Sequence, residues 1–466
     1  MKKTYLLALI GVVGVLTFVI AVVTMLVGNK EIHTMDATVM NLNGEKLTVQ
    51  DSNNVIYTLS DKNFLDLSVG DRILIEYTGL LDKTTNEQDI KIKSVTKTDN
   101  DKSNDKVSDE KKKETNGIPE NWQDNGIFKQ YYTLAYEKLS KMSTSEKIGQ
   151  LILARYDKDE ALKNLNKYYL GGYVFFESDF KGKSESEVKK MIQDLQKAAK
   201  TPLLTAVDEE GGKVVRVSSN SALVSEKFKS PQELYKNGGF DAIKNDTINK
   251  SKVLKNLGLN LNFAPVVDVT TNASSYMYER TIGLDTEGTA EYAKTVISAS
   301  KGTGVSYTLK HFPGYGDAVD THTDVTRIDT TYDTVVNDYL PPFQAGIDAK
   351  AEAVMVNHNI YDRIDNVNPA SLSPGLHNML RDRLGFTGII ITDNLDMDAV
   401  AGISDASVKA LLAGNDMIIT TDYQGSFNAI NDAIKNGTIS EDTVNKLAFR
   451  VLAWKYYKGL MFENQK

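Results

Sequence analysis

The stretch Lys310-His311-Phe312-Pro313-Gly314-Tyr315-Gly316-Asp317-Ala318-Val319-Asp320-Thr321-His322 concentrates reactive side chains as no other part of the chain does. It holds two of the five histidines within thirteen residues, beside a lysine and two aspartates. An imidazole with a carboxylate two residues away is a proton donor that works near neutral pH. Asp320 can hold the His322 ring and raise its pKa. A carboxylate brought in from elsewhere could then attack an electrophilic carbon while His322 protonates what leaves.

Such groups need rigid elements to aim them. Val305–Leu309 is apolar and β-branched enough to be a buried strand, so the Lys-His pair falls at a strand end and the Asp-x-His on the Gly/Pro loop after it. From Pro119 onward strand candidates alternate with amphipathic helical stretches such as 184–200 and 289–301. Eight strands are expected, at 150–154, 172–176, 203–207, 261–267, 306–309, 353–356, 388–391 and 417–420. Ser143 with Glu146 forms a helix-starting capping box. Eight strand–helix units predict an α/β fold, a (β/α)8 TIM-type barrel. A doubly wound open sheet is the alternative, but no Gly-rich phosphate loop follows the first strand.

Polar residues follow these strands in series: Asp208-Glu209-Glu210-Gly211-Gly212 with Arg216, then Asp268, Lys310-His311, Asn357-His358-Asn359 and Thr392-Asp393-Asn394. A single Asp at a strand end is commonly a helix cap. Five such ends on one face of a barrel are better explained by chemistry, because barrel enzymes keep catalytic groups there. Charged groups held rigidly suit a hydroxyl-rich ligand such as a sugar. A strand-end carboxylate could serve there as the nucleophile of a retaining glycosidase. A metal-dependent hydrolase built from His311, Asp317, Asp320, His322 and His358 is a rival, weakened by Lys310, which would repel a divalent ion. A non-catalytic wall-binding barrel is another. His33 and His377 are expected at the surface, and His358 as a brace of the rim.

Composition narrows the setting. With 41% hydrophobic and 25% charged residues the chain is globular, and 466 residues call for more than one unit. The net charge of -8 argues against nucleic acid as a partner. The absence of cysteine removes disulfides, thiolate metal sites and a thiol nucleophile. After Lys2 and Lys3 comes an uncharged run, Tyr5–Val27, which as a helix would measure about 34 Å at about 1.5 Å per residue, enough to span a bilayer. Residues 1–30 are therefore expected to be an uncleaved transmembrane signal anchor at the cell membrane, single-pass with the rest outside; a cleaved signal peptide is the alternative. Residues 31–95 alternate like five short strands and suggest a small all-β, OB-like domain acting as a spacer. Residues 96–118 are polar and charged, a linker expected to be disordered. Residues 119–466 carry the barrel.

The motifs resemble those of bacterial β-N-acetylglucosaminidases of glycoside hydrolase family 3. The matching blocks are Asp208-Glu209-Glu210-Gly211-Gly212 through Arg216, Asn262-Phe263-Ala264-Pro265-Val266-Val267-Asp268, Lys310-His311-Phe312-Pro313-Gly314, and Ile391-Thr392-Asp393-Asn394-Leu395-Asp396-Met397, with Pro369-Ala370-Ser371-Leu372-Ser373 as a fifth. They cover about residues 120–420 in consistent order. The resemblance implies a retaining mechanism with no cofactor and no metal. In it Asp393 is the nucleophile, Asp320 and His322 form an acid/base dyad, and Asp208, Arg216, Arg280, Lys310 and His311 hold the sugar. Arg280 is carried over on the context Glu279-Arg280-Thr281-Ile282-Gly283. The chain departs from the pattern at Tyr315, where the family commonly has histidine, and in a Lys310-to-Asp320 spacing one residue shorter. The implied activity is removal of terminal β-linked N-acetylglucosamine, with peptidoglycan fragments as the expected carbohydrate partner. A β-glucosidase or a phosphorylase of the same family are the alternatives.

Overall fold

The computed structural model describes residues 32–43, 46–51, 56–60, 67, 71–78, 90–97, 117–316 and 326–463. The apolar run Tyr5–Val27, most of the expected linker, and Asp320 and His322 lie outside these residues. Among the described residues no helix is long and apolar enough to cross a membrane. Contacts divide the chain into two units, Met1–Glu110 and Lys111–Lys466.

The described residues of the first unit form a five-stranded antiparallel sheet of β1 (Ile32–Asn43), β2 (Lys46–Asp51), β3 (Ile56–Ser60), β4 (Arg72–Thr78) and β5 (Lys91–Lys97), in the order β3-β2-β1-β4-β5. The expected alternation places one side chain in two on a small core: Val39, Leu47, Val49, Tyr57, Leu59, Ile73 and Ile75 are all buried.

The second unit is a closed parallel barrel. Its strands are β6 (Ile152–Arg155), β7 (Gly172–Phe175), β8 (Leu204–Val207), β9 (Leu261–Asn262), β10 (Ser306–Phe312), β12 (Ala353–Val356), β14 (Ile389–Asn394) and β15 (Met417–Thr420), with β15 returning to pair with β6. Closure excludes the open doubly wound sheet. All eight expected strands are present. β11 (Arg327–Ile328) and β13 (Ile360–Tyr361) stand apart as a short parallel pair. Helices such as Glu185–Ala198, Pro231–Leu257 and Thr286–Ser300 follow the strands. Ser143 and Ser184 both close capping boxes at helix starts. Because helices cover the outside and side chains fill the inside, every residue of β7, β8, β12 and β15 is buried.

β9 is shorter than its apolar run because Pro265 has no N–H to give the ladder. Pairing resumes only as a bridge between Val266 and Lys310, where the Lys310 N–H donates to the Pro265 carbonyl. The N-terminal end of the barrel is closed by the last long helix, Glu441–Tyr457. Arg450 Nε donates to Asp416 Oδ1 (2.8 Å), Trp454 Nε1 to Glu352 Oε2 (2.7 Å), and Lys455 Nζ to Gln150 Oε1 (2.6 Å) and the Gly171 carbonyl (2.9 Å). Each of these partners precedes a barrel strand. The opposite, C-terminal end is left to the loops.

Candidate active site

The three consecutive carboxylates after β8 do three different jobs, which their identical chemistry hides in the sequence. Asp208 Oδ1 accepts from Lys310 Nζ at 2.7 Å. Glu209 is wholly buried and turns back on its own loop, accepting from the N–H groups of Arg216 (2.8 Å), Val217 (2.7 Å) and Ser218 (3.2 Å). That clamp fixes where Arg216 leaves the backbone. Glu210 accepts from Arg280 through both oxygens, at 3.0 Å from Nε and 2.7 Å from Nη2, and lies 2.7 Å from Lys310 Nζ. Asn262 of β9 locks the turn by accepting from the Glu209 N–H and donating to its carbonyl.

Lys310 is almost fully buried between two carboxylates, with Glu210 shared by Arg280. Burial alone would push its ammonium pKa down; Asp208 and Glu210 outweigh that and hold it above the ordinary range. Burial would likewise raise Glu210, but Arg280 and Lys310 keep its carboxyl far below the usual range. These groups stay charged at every physiological pH. Arg216 is looser: its Nη2 is 4.0 Å from Asp208 Oδ2, its guanidinium lies 5.3 Å from the Phe176 ring centre, and its buried Nε has no hydrogen-bond partner among the described residues. It has donors to spare for a ligand.

His311 stands next to Lys310 across a cis peptide bond. Its Nδ1 donates to Asp268 Oδ2 at 2.8 Å, and the Tyr315 N–H donates to Asp268 Oδ1 at 2.7 Å. This leaves His311 Nε2 beside Arg280 Nη2, 3.4 Å away. Tyr315 itself is buried against Val266 and Met277.

Asp393, at the end of β14, is half-buried and accepts from the Asn394 N–H at 2.8 Å. Burial alone would raise its carboxyl pKa. His311 and His358, the Asn394 N–H and Lys310 outweigh it, so the group sits below the usual carboxylate range and is anionic at neutral pH. His358 is fully buried; its Nε2 donates to the Asn394 carbonyl at 3.0 Å and its Nδ1 is 2.7 Å from Ser371 Oγ. It braces the backbone beside Asp393, as a rim histidine was expected to do.

Of the expected site residues, the structure brings Asp208, Lys310, His311 and Arg280 into one bonded network, with Arg216 at its edge and Asp393 within its field. Asp320 and His322 lie outside the described residues. The expectation for His377 is corrected: it is buried, donating from Nδ1 to the Ser373 carbonyl at 2.8 Å. It occupies a short helix whose apolar neighbours Leu376, Met379 and Leu380 carry it into the core. His33 is half-buried on β1, 5.5 Å from the Tyr77 ring. Asp268 and Glu210 carry more of the site than their sequence context revealed. Each stood at the end of an apolar run and inside a block shared with the family, but neither signal assigned it a role.

Residues 143–454 match the family described as the glycosyl hydrolase family 3 N-terminal domain. A β-hexosaminidase of Xylella fastidiosa is 32% identical over 280 residues, covering 57% of this chain and 79% of the relative. One from Xanthomonas campestris is 30% identical, covering 54% and 76%. Among solved structures, a family 3 β-N-acetylglucosaminidase from Paenibacillus is 28% identical with a TM-score of 0.65; the match covers 68% of this chain and spans only 63% of that protein. A family 3 glycosyl hydrolase from Mycobacterium smegmatis is 29% identical with a TM-score of 0.60, covering 68% and 98%. The chain belongs to glycoside hydrolase family 3.

Proposed function

We propose that this protein is a retaining glycosidase that removes terminal β-linked N-acetylglucosamine. The observation that carries the reading is Asp393: a half-buried carboxylate kept ionised beside a network of fixed charges that suits sugar hydroxyls. The relatives named β-hexosaminidase and β-N-acetylglucosaminidase support the choice of sugar. In the proposed course, Asp208, Lys310, His311, Arg216 and Arg280 hold the sugar. Asp393 attacks the anomeric carbon while His322 gives its proton to the leaving oxygen. The glycosyl–enzyme then reacts with water, which His322 deprotonates, so the configuration is retained. Asp320 orients the His322 ring and stabilises its charged form.

The substrate setting is part of the proposal. Lys2 and Lys3 before the uncharged run Tyr5–Val27 support an anchor with the enzyme outside the cell membrane, where peptidoglycan fragments would be met first. The strand order of the first unit supports an OB-like spacer. Cell fractionation with protease accessibility tests the anchor; a protein recovered wholly in the cytosol contradicts it.

Hydrolysis of 4-nitrophenyl N-acetyl-β-glucosaminide and of 4-nitrophenyl β-glucoside, each with and without phosphate, tests the activity. Preference for the N-acetyl sugar and no dependence on phosphate are expected. Preference for the plain glucoside, or turnover that requires phosphate, overturns the reading in favour of the glucosidase or the phosphorylase.

A further inference from the structure

The described residues on either side of 317–325, the segment that carries Asp320 and His322, are tied together by one side chain. On the outgoing side, Tyr315 is held by Asp268, and Gly316, at a φ of 54°, leaves no room for a side chain against the Tyr339 hydroxyl. On the returning side, β11 pairs with β13, placing Arg327 opposite Ile360 and Ile328 opposite Tyr361. The Ile360 N–H donates to the Thr326 carbonyl at 2.9 Å and the Asp362 N–H to the Ile328 carbonyl at 3.1 Å.

Tyr361 belongs to both sides. Its backbone lies in the ladder beside Ile328, while its hydroxyl donates to the Gly314 carbonyl at 2.5 Å. Asn357 Nδ2 donates to that same hydroxyl at 2.9 Å and to the His311 carbonyl at 3.2 Å. The side chain is fully buried, and burial pushes the phenol pKa well above its ordinary value, so the proton remains available to Gly314. The outgoing side, the returning side and the sugar-side histidine therefore share one hydrogen-bonded junction.

We infer that Tyr361 is a positioning residue for proton transfer: it sets the two ends of the His322-bearing segment relative to each other and to His311. The inference rests on the acid/base reading of His322. Tyr361 acts through the backbone it holds, and a misplacement of about 1 Å at a proton donor can cost about 10²-fold in rate.

Tyr361→Phe keeps the ring and removes the junction. The readout is kcat/KM, which reports formation of the glycosyl–enzyme, on two leaving groups. A sugar alcohol, as in N-acetylglucosamine β-linked to a second N-acetylglucosamine, needs a proton to depart; 2,4-dinitrophenolate does not. A loss of about 10- to 10²-fold on the disaccharide, with less than about twofold on the dinitrophenyl glycoside, is expected. Equal loss on both, or no loss on either, overturns the inference. His322→Ala, run on the same pair, separates the two layers. If it lacks the leaving-group dependence, the acid/base reading itself fails. If it shows the dependence and Tyr361→Phe does not, only the role of Tyr361 falls. Should Tyr361→Phe not fold, Asn357→Ala replaces it, removing the donor that joins the Tyr361 hydroxyl to the His311 carbonyl. A leaving-group-dependent loss there supports the inference, and a uniform loss or none overturns it.

Discussion

Two buried lysines at opposite ends of one barrel meet opposite surroundings. Lys310, at the C-terminal end, lies 2.7 Å from both Asp208 and Glu210 and is held charged. Lys455, at the N-terminal end, is fully buried with an amide oxygen and a carbonyl as partners, neither of them a carboxylate. Burial pushes its pKa down to about 7. Lys458, close by, is pushed down to about 8 by burial, with Glu352 opposing. One end of the barrel keeps its charges by pairing them, because charged donors and acceptors grip a polar ligand there. The other uses a lysine as a long hydrogen-bond donor that plugs strand ends, and its charge is incidental. The contrast separates a site from a scaffold without reference to any relative.

Substitutions at the two ends should differ in kind, and the largest effects are expected at the C-terminal end. Asp393→Ala should abolish turnover, by about 10⁴-fold or more, with thermal unfolding unchanged. Steady-state rates and a melting curve check both halves. His322→Ala should lower kcat/KM by about 10²–10⁴-fold on sugar leaving groups and erase the alkaline limb of the pH profile, where the parent loses its proton donor. Because Asp393 is already depressed, the acid limb of the parent should fall below the ordinary aspartate value of about 3.9.

Lys310→Met should damage both activity and fold. It leaves Asp208 and Glu210 facing each other without their shared cation, and breaking a buried pair costs about 3–5 kcal/mol. Chemical denaturation measures it. Lys455→Met should leave kcat and KM alone. Its signature is in pH: a lysine whose folded pKa is about 7 binds fewer protons folded than unfolded between there and about 10.4, so its contribution to stability rises with pH across that window. The variant should lose that share of the rise and gain most, relative to the parent, below pH 7. A variant that reproduces the full parent slope would contradict the assignment of Lys455.

The barrel was legible because its signals are redundant. Each strand is an apolar run that must be buried on both faces, and the spacing leaves room for a helix between runs. The fourth strand shows where that logic stops, since Leu261–Val267 is apolar apart from Asn262 but regular pairing ends after Asn262, ahead of Pro265, which has no N–H to donate. Site residues were legible as charges at strand ends, which is why Asp208, Lys310, His311 and Asp393 could be named. Their partnerships were not. Whether Glu209 or Glu210 meets Arg280 depends on how the turn after β8 folds, and residue type cannot say. Tyr361 was invisible for the same reason: its role depends on Gly314, forty-seven positions away in sequence. His377 was misplaced because a polar side chain on a short apolar helix gives no sign that a backbone carbonyl waits inside to accept from it.

The central claim is that Asp393 forms the covalent bond to the sugar. Incubation with a fluorinated N-acetylglucosaminyl fluoride that slows release of the intermediate, followed by proteolysis and mass spectrometry, tests it directly. One added sugar per chain is expected, on the peptide containing Asp393, and none in Asp393→Ala. A label on any other residue, or product formed with inverted configuration, would contradict it.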